Sequence, residues 1–313
     1  MTQENLSCWL TYLSSDALRL PIEQCVSDYL GRTWHAEQID DKSDRASHPS
    51  ATLSDGTYTI FVKLGEGPRA ADQFRQEAYG LRLLTARSGV LTPTVIATID
   101  LANKDNKDQV LIIMEATTEI VEREPIHWQQ IGQALAQIHA VKDDYFGLET
   151  HCYWGSLYQD NSPLADWPGF FWQRRIEPRL RAVVDSGNLP RELIAQVERL
   201  RPQLPALCGP YVAPALLHGD AHQNNFLSTP KGAMLIDPSA YFGHPELDLA
   251  HIDFFAPVPP AFFQGYTEIM PLDPGFKHRR DLWRIPAWLA MIEVDGAQHV
   301  DTLSEILQRY YNQ

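Results

Sequence analysis

The sequence Leu217-His218-Gly219-Asp220-Ala221-His222-Gln223-Asn224-Asn225-Phe226 is a polar loop that follows a short apolar stretch. Leu216-Leu217-His218 at its start, and Ala233-Met234-Leu235-Ile236-Asp237 after it, are typical of short buried strands. Asn225 lies five residues after Asp220, and Asp237 ends the later strand seventeen residues after Asp220. This spacing predicts that the three polar side chains meet at one point.

These three side chains have the chemistry that phosphoryl transfer requires. The reaction needs a carboxylate that orients and deprotonates an attacking hydroxyl group, and oxygen ligands that hold Mg²⁺ on nucleotide phosphates. We predict Asp220 as the catalytic base, and Asn225 and Asp237 as the Mg²⁺ ligands. The combination is specific, whereas any one aspartate alone would carry little information.

A lysine and a glutamate in the first third of the chain complete the pattern of a kinase site. Lys63 ends the apolar segment Phe61-Val62-Lys63, and Glu77 lies in the helical pattern that follows. In kinases a strand lysine contacts the ATP phosphates and a helix glutamate holds that lysine in place. A solvated lysine beside an unrelated glutamate would be the simpler interpretation in isolation. Because the downstream loop is present, we predict that Lys63 and Glu77 bind ATP.

Hydrophobic periodicity divides the chain into a sheet-rich first third and a helical remainder. Helical spacing predicts two short helices over residues 4–30, ended by Gly31, and one helix over residues 70–87. Alternation predicts an antiparallel meander over residues 34–64 and strands over 95–101 and 110–115, with a turn at 103–106. Later helices are predicted over residues 125–141, 167–184 and 191–204, and from 246 to the end. We therefore predict an α+β, two-lobed fold, with an N-lobe over residues 1–116 and a C-lobe over residues 117–313.

The composition restricts the binding partners and the cellular compartment that we expect for this protein. The 313 residues, 44% hydrophobic and 21% charged, are those of a globular chain. A formal net charge of −14 without a basic cluster predicts that neither nucleic acid nor an anionic membrane is a partner. We also expect no targeting segment and a cytoplasmic location. The cysteines lie far apart, without disulfide or zinc spacing, at Cys8, Cys25, Cys152 and Cys208.

Longer motifs are spread over nearly the whole chain. They are Phe61-Val62-Lys63, Glu77-Ala78-Tyr79-Gly80-Leu81, residues 131–139, Phe146-Gly147, Trp154-Gly155-Ser156-Leu157, residues 170–176, Leu216-Leu217-His218-Gly219-Asp220, residues 235–250 and residues 271–276. Through these motifs the sequence resembles the fructosamine kinase (ketosamine kinase) family. That family lies within the wider aminoglycoside phosphotransferase and choline kinase group, which has a protein-kinase-like fold.

The resemblance implies an activity and further site residues. The activity is ATP-dependent phosphorylation of a sugar hydroxyl on a ketoamine, a fructosamine or ribulosamine that is either small or carried by protein lysines, with a role in deglycation and repair. The backbone of Glu115, Ala116 and Thr117 would bind adenine, and Asp248 would accept N–H bonds from the catalytic loop. We expect a monomer or a weak homodimer. Aminoglycoside and choline acceptors stay open, because the fold does not fix the substrate.

Two departures from the family pattern concern the acceptor and the nucleotide. The family loop usually runs His-Gly-Asp-Leu-Trp, whereas Ala221 and His222 follow Asp220 here, so a bulky aromatic residue is missing. The predicted nucleotide-covering turn, residues 41–52, contains no glycine to let backbone N–H groups approach a phosphate. We predict hydroxyl donors in their place, at Ser43, Ser47 and Ser50.

Other functions fit parts of the sequence. A metallohydrolase could hold zinc through His218, Asp220 and His222, or through His244, Asp248 and His251. A catalytically silent, nucleotide-binding protein would explain the turn without glycine. However, such a protein typically loses one of the four kinase residues, all of which are present here. A serine hydrolase is disfavoured because the sequence has no Gly-x-Ser-x-Gly motif.

Most of the aromatic residues, and one histidine, are expected to be structural rather than catalytic. We expect His139 to be structural, and Trp283 and Trp288 to pack in the interior. One or two members of an aromatic series are expected to line the acceptor pocket, and the rest to be core. The series comprises Tyr153, Trp154, Tyr158, Trp167, Phe170, Phe171 and Trp172.

Overall fold

The N-lobe is an antiparallel sheet that is covered by helices on both faces. The computed structural model describes residues 9–45, 48–101 and 108–311. The strands are β1 (Gln38–Asp41), β2 (Ser50–Ser54), β3 (Thr59–Glu66), β4 (Val95–Leu101) and β5 (Gln109–Glu115). They pair in the order β1-β2-β3-β5-β4. The helices are α1 (Asp16–Leu30) and α2 (Ala70–Ser88), with residues 9–13 also helical.

The predicted strands and helices of this lobe are confirmed to within a few residues. Gly31 ends α1 in the left-handed conformation, with φ 64°, as a C-cap glycine should. Residues 4–8 of the predicted first helix, including Cys8, and the predicted turn at 103–106 lie outside the described residues. The division of the chain after Ala116 stays a prediction. It is supported by the Ala116 N–H, which still bonds to Thr59 O of the sheet at 3.0 Å.

The alternation of side chains along β3 determines where Lys63 lies. Ile60, Val62 and Leu64 are buried in the core between the sheet and α1. The intervening Phe61 packs on the opposite side, with the core under α2. Successive side chains of a strand point to opposite faces. Lys63 therefore shares the face of α2, which carries Glu77.

The C-lobe is mainly helical. Its α-helices are α3 (Pro125–Ala140), α4 (Trp167–Phe170), α5 (Glu177–Asp185), α6 (Arg191–Leu200), α7 (Leu204–Leu207), α8 (Glu246–His251), α9 (Pro260–Thr267), α10 (Phe276–Asp295) and α11 (Val300–Tyr311). The helix predicted over residues 167–184 is interrupted, because Phe171–Ile176 form a π-helix between α4 and α5. Across the described ranges, no helix is both long and apolar enough for a membrane crossing.

Short strands of the C-lobe support the polar loop. They are β6 (Cys152–Trp154), β7 (Leu157–Gln159), β8 (Ala215–Leu217), β9 (Phe226–Thr229), β10 (Gly232–Leu235) and β11 (Tyr241–Gly243). The two strands predicted around the loop do not pair with each other. Instead β8 pairs with β11 and β10 pairs with β9. The loop is thus held between two small sheets.

Two glycines let α3 and α9 approach to backbone contact. A Cβ atom on Gly132 would lie 2.0 Å from Phe262 O, and one on Gly265 would lie 2.0 Å from Gln129 O. Such distances are far shorter than van der Waals contact. Any larger residue at either position would therefore force the helices apart.

Buried histidines predict a loss of stability in mild acid. Burial lowers the pKa of His244 to about 3 and that of His251 to about 4. In the unfolded chain both take up protons near pH 6.5, so below that pH the unfolded state binds more protons and the free energy of unfolding falls. When the pH is lowered from 7 to 5.5, we expect each histidine to reduce the free energy of unfolding by about 1 kcal/mol. Urea unfolding at the two pH values measures this reduction.

The variant His244→Phe provides the control. It keeps an aromatic ring on Trp283, whose centroid lies 4.9 Å from that of His244, and it cannot take up a proton. Over the same pH interval, we expect the free energy of unfolding to fall by about 1 kcal/mol less in this variant than in the parent. An identical loss in both proteins would show that His244 does not contribute to the pH dependence.

Candidate active site

Lys63 forms an ion-pair cluster that joins the two lobes. Its Nζ lies 2.8 Å from Oε1 of Glu77 on α2 and also contacts Oδ1 of Asp237 in the C-lobe. Lys63 is only 4% exposed, so its ammonium group is shielded from solvent, whereas the side chain of Asp237 is 32% exposed. The structure therefore brings together three residues predicted from separate parts of the sequence.

The charged groups in this cluster shift one another's pKa values. Burial lowers the pKa of Lys63, but the carboxylates of Asp237 and Glu77 outweigh it and raise the pKa above its usual value. Burial favours the neutral form of Asp237, but the Lys63 ammonium group outweighs it, so the pKa of Asp237 is lowered. Burial raises the pKa of Glu77 to about 7. A positive charge on Lys63 and a negative charge on Asp237 are thus maintained.

Asp237 is held beside Asn225 by the backbone. Its own φ is 52°, a left-handed conformation that non-glycine residues adopt at a cost. The preceding Ile236 donates its N–H to Asn225 O at 3.0 Å. The predicted metal ligands Asn225 and Asp237 therefore lie side by side, although β10 ends before Asp237.

Asp220 lies on the same loop as Asn225 and is bound to it. Asn225 Nδ2 donates to the Asp220 backbone O at 2.8 Å and to Oδ2 at 3.2 Å. These bonds use the amide nitrogen of Asn225 and leave its oxygen for another partner. Burial raises the pKa of Asp220, which makes its carboxylate a better proton acceptor.

Asp248 on α8 supports this loop from behind. Its Oδ2 accepts the His218 N–H at 2.7 Å, and its Oδ1 accepts the Gly219 N–H at 3.0 Å. His139 Nε2 lies 3.1 Å from Oδ2, while His139 Nδ1 lies 2.9 Å from the Tyr266 hydroxyl. The predicted bracing role of Asp248 and the structural role of His139 are confirmed.

Gly219 lets the loop pass close to the chain that follows Asp237. Its φ is 81°, and a Cβ there would lie 2.0 Å from Ser239 O. Its carbonyl accepts the Trp154 Nε1–H at 2.7 Å, which ties the loop to the hairpin β6–β7. That hairpin also reaches the N-lobe, because the Tyr153 hydroxyl donates to Asp72 Oδ2 at 2.6 Å.

A cleft of about 900 Å³ opens between the lobes and includes the predicted hinge. Glu115, Ala116 and Thr117 all line it, together with apolar side chains from both lobes such as Phe61 and Leu227. The N–H groups of Glu115 and Ala116 already bond to Thr94 O and Thr59 O. Among the described residues, the Thr117 N–H has no hydrogen-bond acceptor, so it is the one unpaired backbone donor of these three.

The turn over residues 41–52 uses the hydroxyl of one of its three serines to close itself. The Ser43 hydroxyl accepts from Ser50 N at 3.0 Å and contacts Ser50 O at 3.2 Å. The prediction that Ser43 replaces a glycine as a phosphate donor is therefore wrong, because the hydroxyl closes the turn itself. Ser50 Oγ is buried with no partner in the described part of the chain, and Ser47 lies outside that part.

A second cavity, of about 250 Å³, adjoins the cleft and contains Asp220. Lys63 and Asp237 line both spaces. Sequence reasoning missed several polar side chains here, because no motif marks them. The missed residues are His48, Gln73, Gln76 and Asn224.

Five of the seven aromatic residues divide between the smaller cavity and the core, whereas the prediction that the others are core is wrong for Tyr158, which is exposed. Tyr153 lines the smaller cavity, whereas Trp167, Phe170, Phe171 and Trp172 are all buried in the C-lobe core. Trp283 is fully buried, and Trp288 packs against the same core. Trp154 belongs to neither group, since its ring nitrogen holds the catalytic loop.

The structure does not support a zinc site. His218 Nε2 donates to Ile236 O at 2.9 Å, and its Nδ1 accepts from Asp220 N at 3.3 Å, so neither nitrogen is available as a ligand. His244 Nδ1 likewise accepts from Glu246 N at 3.2 Å. Within residues 9–45, 48–101 and 108–311, no three His, Cys, Asp or Glu side chains are grouped as metal ligands.

Known proteins with similar sequences cover most of the chain. A family model described as fructosamine kinase matches residues 20–313. A Vibrio parahaemolyticus protein named "Probable ketoamine kinase" is 31% identical over 253 residues, covering 80% of this chain and 85% of its own. A Synechocystis protein with the same name is 27% identical over 292 residues, covering 92% of this chain and 95% of its own.

Solved structures extend the similarity to the fold. A Thermobifida fusca protein assigned as a fructosamine-3-kinase has a TM-score of 0.80 and 29% identity, covering 93% of this chain and 99% of its own. An aminoglycoside phosphotransferase has a TM-score of 0.61 at 15% identity, covering 93% and 100% of the two chains. The predicted two-lobed, protein-kinase-like α+β fold is confirmed.

Proposed function

This chain belongs to the fructosamine kinase family, and we propose that it transfers the γ-phosphoryl group of ATP to a sugar hydroxyl of a ketoamine. One observation carries the proposal. Lys63, paired with Glu77 and Asp237, lies where a nucleotide-sized cleft meets a small polar cavity that holds Asp220. Donor phosphate and acceptor hydroxyl can therefore meet at Asp220.

Each residue has a defined role in this reaction. Lys63 contacts the phosphates, Glu77 orients Lys63, and the hinge segment Glu115–Thr117 binds the adenine ring, with the Thr117 N–H as its free donor. Asp220 accepts the proton of the acceptor hydroxyl as the hydroxyl oxygen attacks the γ-phosphorus, and the bond from the γ-phosphorus to the bridging oxygen breaks to release ADP. Its raised pKa suits this role, because a stronger base takes the proton more readily.

The residues beside Asp220 fit a magnesium ion. Mg²⁺ prefers hard oxygen ligands, and the amide oxygen of Asn225 and the carboxylate of Asp237 supply them. The amide nitrogen of Asn225 is already used by Asp220, which leaves the oxygen as the coordinating atom. Asn225 and Asp237 would hold the ion, which supplies positive charge to the ATP phosphates.

The smaller cavity supports a sugar as the acceptor group. Its volume of about 250 Å³ lies below the range of about 300–1,000 Å³ that encloses a drug-sized ligand, so it suits one sugar unit. The amide, hydroxyl and imidazole groups around it can pair with several hydroxyls. We further propose a deglycation role on small or protein-bound ketoamines, in a monomer or weak homodimer. We place the reaction in the cytoplasm, where Cys25, Cys152 and Cys208 stay reduced.

An assay with a panel of acceptors tests the function. Purified protein with Mg²⁺ and ATP is offered fructosyl-amines, ribosyl-amines, aminoglycosides and choline, and ADP release is followed. We expect turnover with the sugar-amines and at least tenfold lower kcat/KM with the others. Turnover with choline or aminoglycosides alone would contradict the proposed substrate class.

A binding measurement identifies a catalytically silent protein. Thermal unfolding is followed with ATP in the presence of Mg²⁺ and with ATP plus a chelator. Stabilisation of the protein by Mg²⁺ and ATP, without ADP release from any acceptor, would show a nucleotide-binding protein that lacks the kinase reaction.

A further inference from the structure

His222 differs from the other histidines around the catalytic loop. In His218 and His139 both ring nitrogens are engaged by backbone or side-chain groups. In His222, Nδ1 is buried with no partner among the described residues, and Nε2 lies 3.8 Å from Asp220 Oδ2, beyond hydrogen-bond distance. Its ring is therefore not held by hydrogen bonds to the described residues.

The position of the ring is fixed in other ways. The His222 N–H donates to Asp220 O at 2.9 Å, and its carbonyl accepts from Asn225 N at 2.9 Å. The imidazole packs edge-on against the exposed ring of Phe255, with centroids 5.2 Å apart. An imidazole in the wall of a polar cavity, with unused hydrogen-bonding groups, is suited to contact a ligand.

The distance to Asp220 indicates which ligand atom His222 would contact. His222 Nε2 lies only 3.8 Å from Asp220 Oδ2, so a hydroxyl that donates to Asp220 would also lie near the imidazole. The sugar part of a ketoamine carries hydroxyls on neighbouring carbons, so the next hydroxyl can reach His222 Nε2. Resting on the proposed function, we infer that His222 Nε2 hydrogen-bonds the acceptor hydroxyl adjacent to the one that Asp220 deprotonates. His222 would thereby orient the sugar and select its phosphorylated position.

Acceptor kinetics on matched variants test the inference. The phosphorylated hydroxyl is first identified from the product, and acceptor analogues that lack each neighbouring hydroxyl are then compared. We expect His222→Phe, which keeps a ring against Phe255, to raise the acceptor KM about tenfold and leave the ATP KM within twofold. His222→Gln, which restores a hydrogen-bonding group, should recover most of this loss. On the analogue that lacks the contacted hydroxyl, the parent and His222→Phe should have equal KM values.

A variant far from the site serves as the control, and two results would contradict either the inference or the proposed function. His278→Phe changes an exposed histidine on α10 and should have parental kinetics. An unchanged acceptor KM in His222→Phe, or the same penalty on every analogue, would overturn the inference while leaving the kinase function intact. Absence of turnover with any ketoamine in the parent protein would instead overturn the proposed function, and this inference with it.

Discussion

The variant Asp220→Asn is expected to lose about a thousandfold in kcat while it keeps its fold and its ATP binding. An asparagine has nearly the same shape and still offers an oxygen to Asn225 Nδ2, but it cannot accept the proton of the acceptor hydroxyl. Positioned bases typically contribute 10²–10⁴-fold to a rate. The measurements are kcat with the best acceptor of the panel and the KM for ATP. A retained kcat above a tenth of the parental value would contradict the base role.

The stability of the same variant gives an independent check. Burial raises the pKa of Asp220, which means that the folded protein holds this carboxylate at a cost. A neutral amide removes the cost, so we expect the melting temperature of Asp220→Asn to equal or exceed that of the parent. Asp144→Asn, an exposed change in the same lobe, controls for the loss of one charge and should change neither kcat nor stability. A lower melting temperature in Asp220→Asn would indicate that its lost activity reflects a damaged fold.

Local sequence patterns were sufficient for much of the fold and for five of the polar residues that line the smaller cavity, Lys63, Glu77, Asp220, Asn225 and Asp237. Helix α2 and strand β3 have long, regular apolar periods, and both are found within a few residues of their predicted bounds. The spacing of Asp220, Asn225 and Asp237 predicted a meeting point because it matches the spacing of the corresponding residues in a kinase catalytic hairpin. In the structure all three line one cavity.

Long-range pairings could not be predicted in the same way. Strands of three residues such as β8 and β11 have no measurable period, so their pairing follows from burial in the tertiary structure. The Tyr153 bond to Asp72 joins residues 81 positions apart, and no local signal marks it. Ser43 was assigned to the wrong role because a hydroxyl in a tight turn bonds its own backbone before it reaches a ligand.

The variant Asp248→Ala is expected to lower the free energy of unfolding by about 4 kcal/mol, the largest stability effect we predict. Asp248 is fully buried, and its two oxygens serve the N–H groups of His218 and Gly219 and the ring of His139. Removing the carboxylate leaves these buried donors without an acceptor. Loss of one partner from such a buried charged group typically costs about 3–5 kcal/mol. Urea unfolding at pH 7 measures the loss.

Two further variants separate the role of this carboxylate from a general effect of losing an acid. Asp248→Asn keeps one acceptor oxygen, so it should unfold with a free energy between those of Asp248→Ala and the parent, and it remains measurable if the alanine variant does not fold. Asp273→Ala removes a carboxylate that is 39% exposed in its pair with Arg279, and should cost less than about 1 kcal/mol. Because Asp248 holds the backbone that carries Asp220, the folded fraction of Asp248→Asn should also have a reduced kcat with a nearly parental KM for ATP. Parental stability and parental kcat in Asp248→Asn would mean that the catalytic loop holds its position without the buried carboxylate.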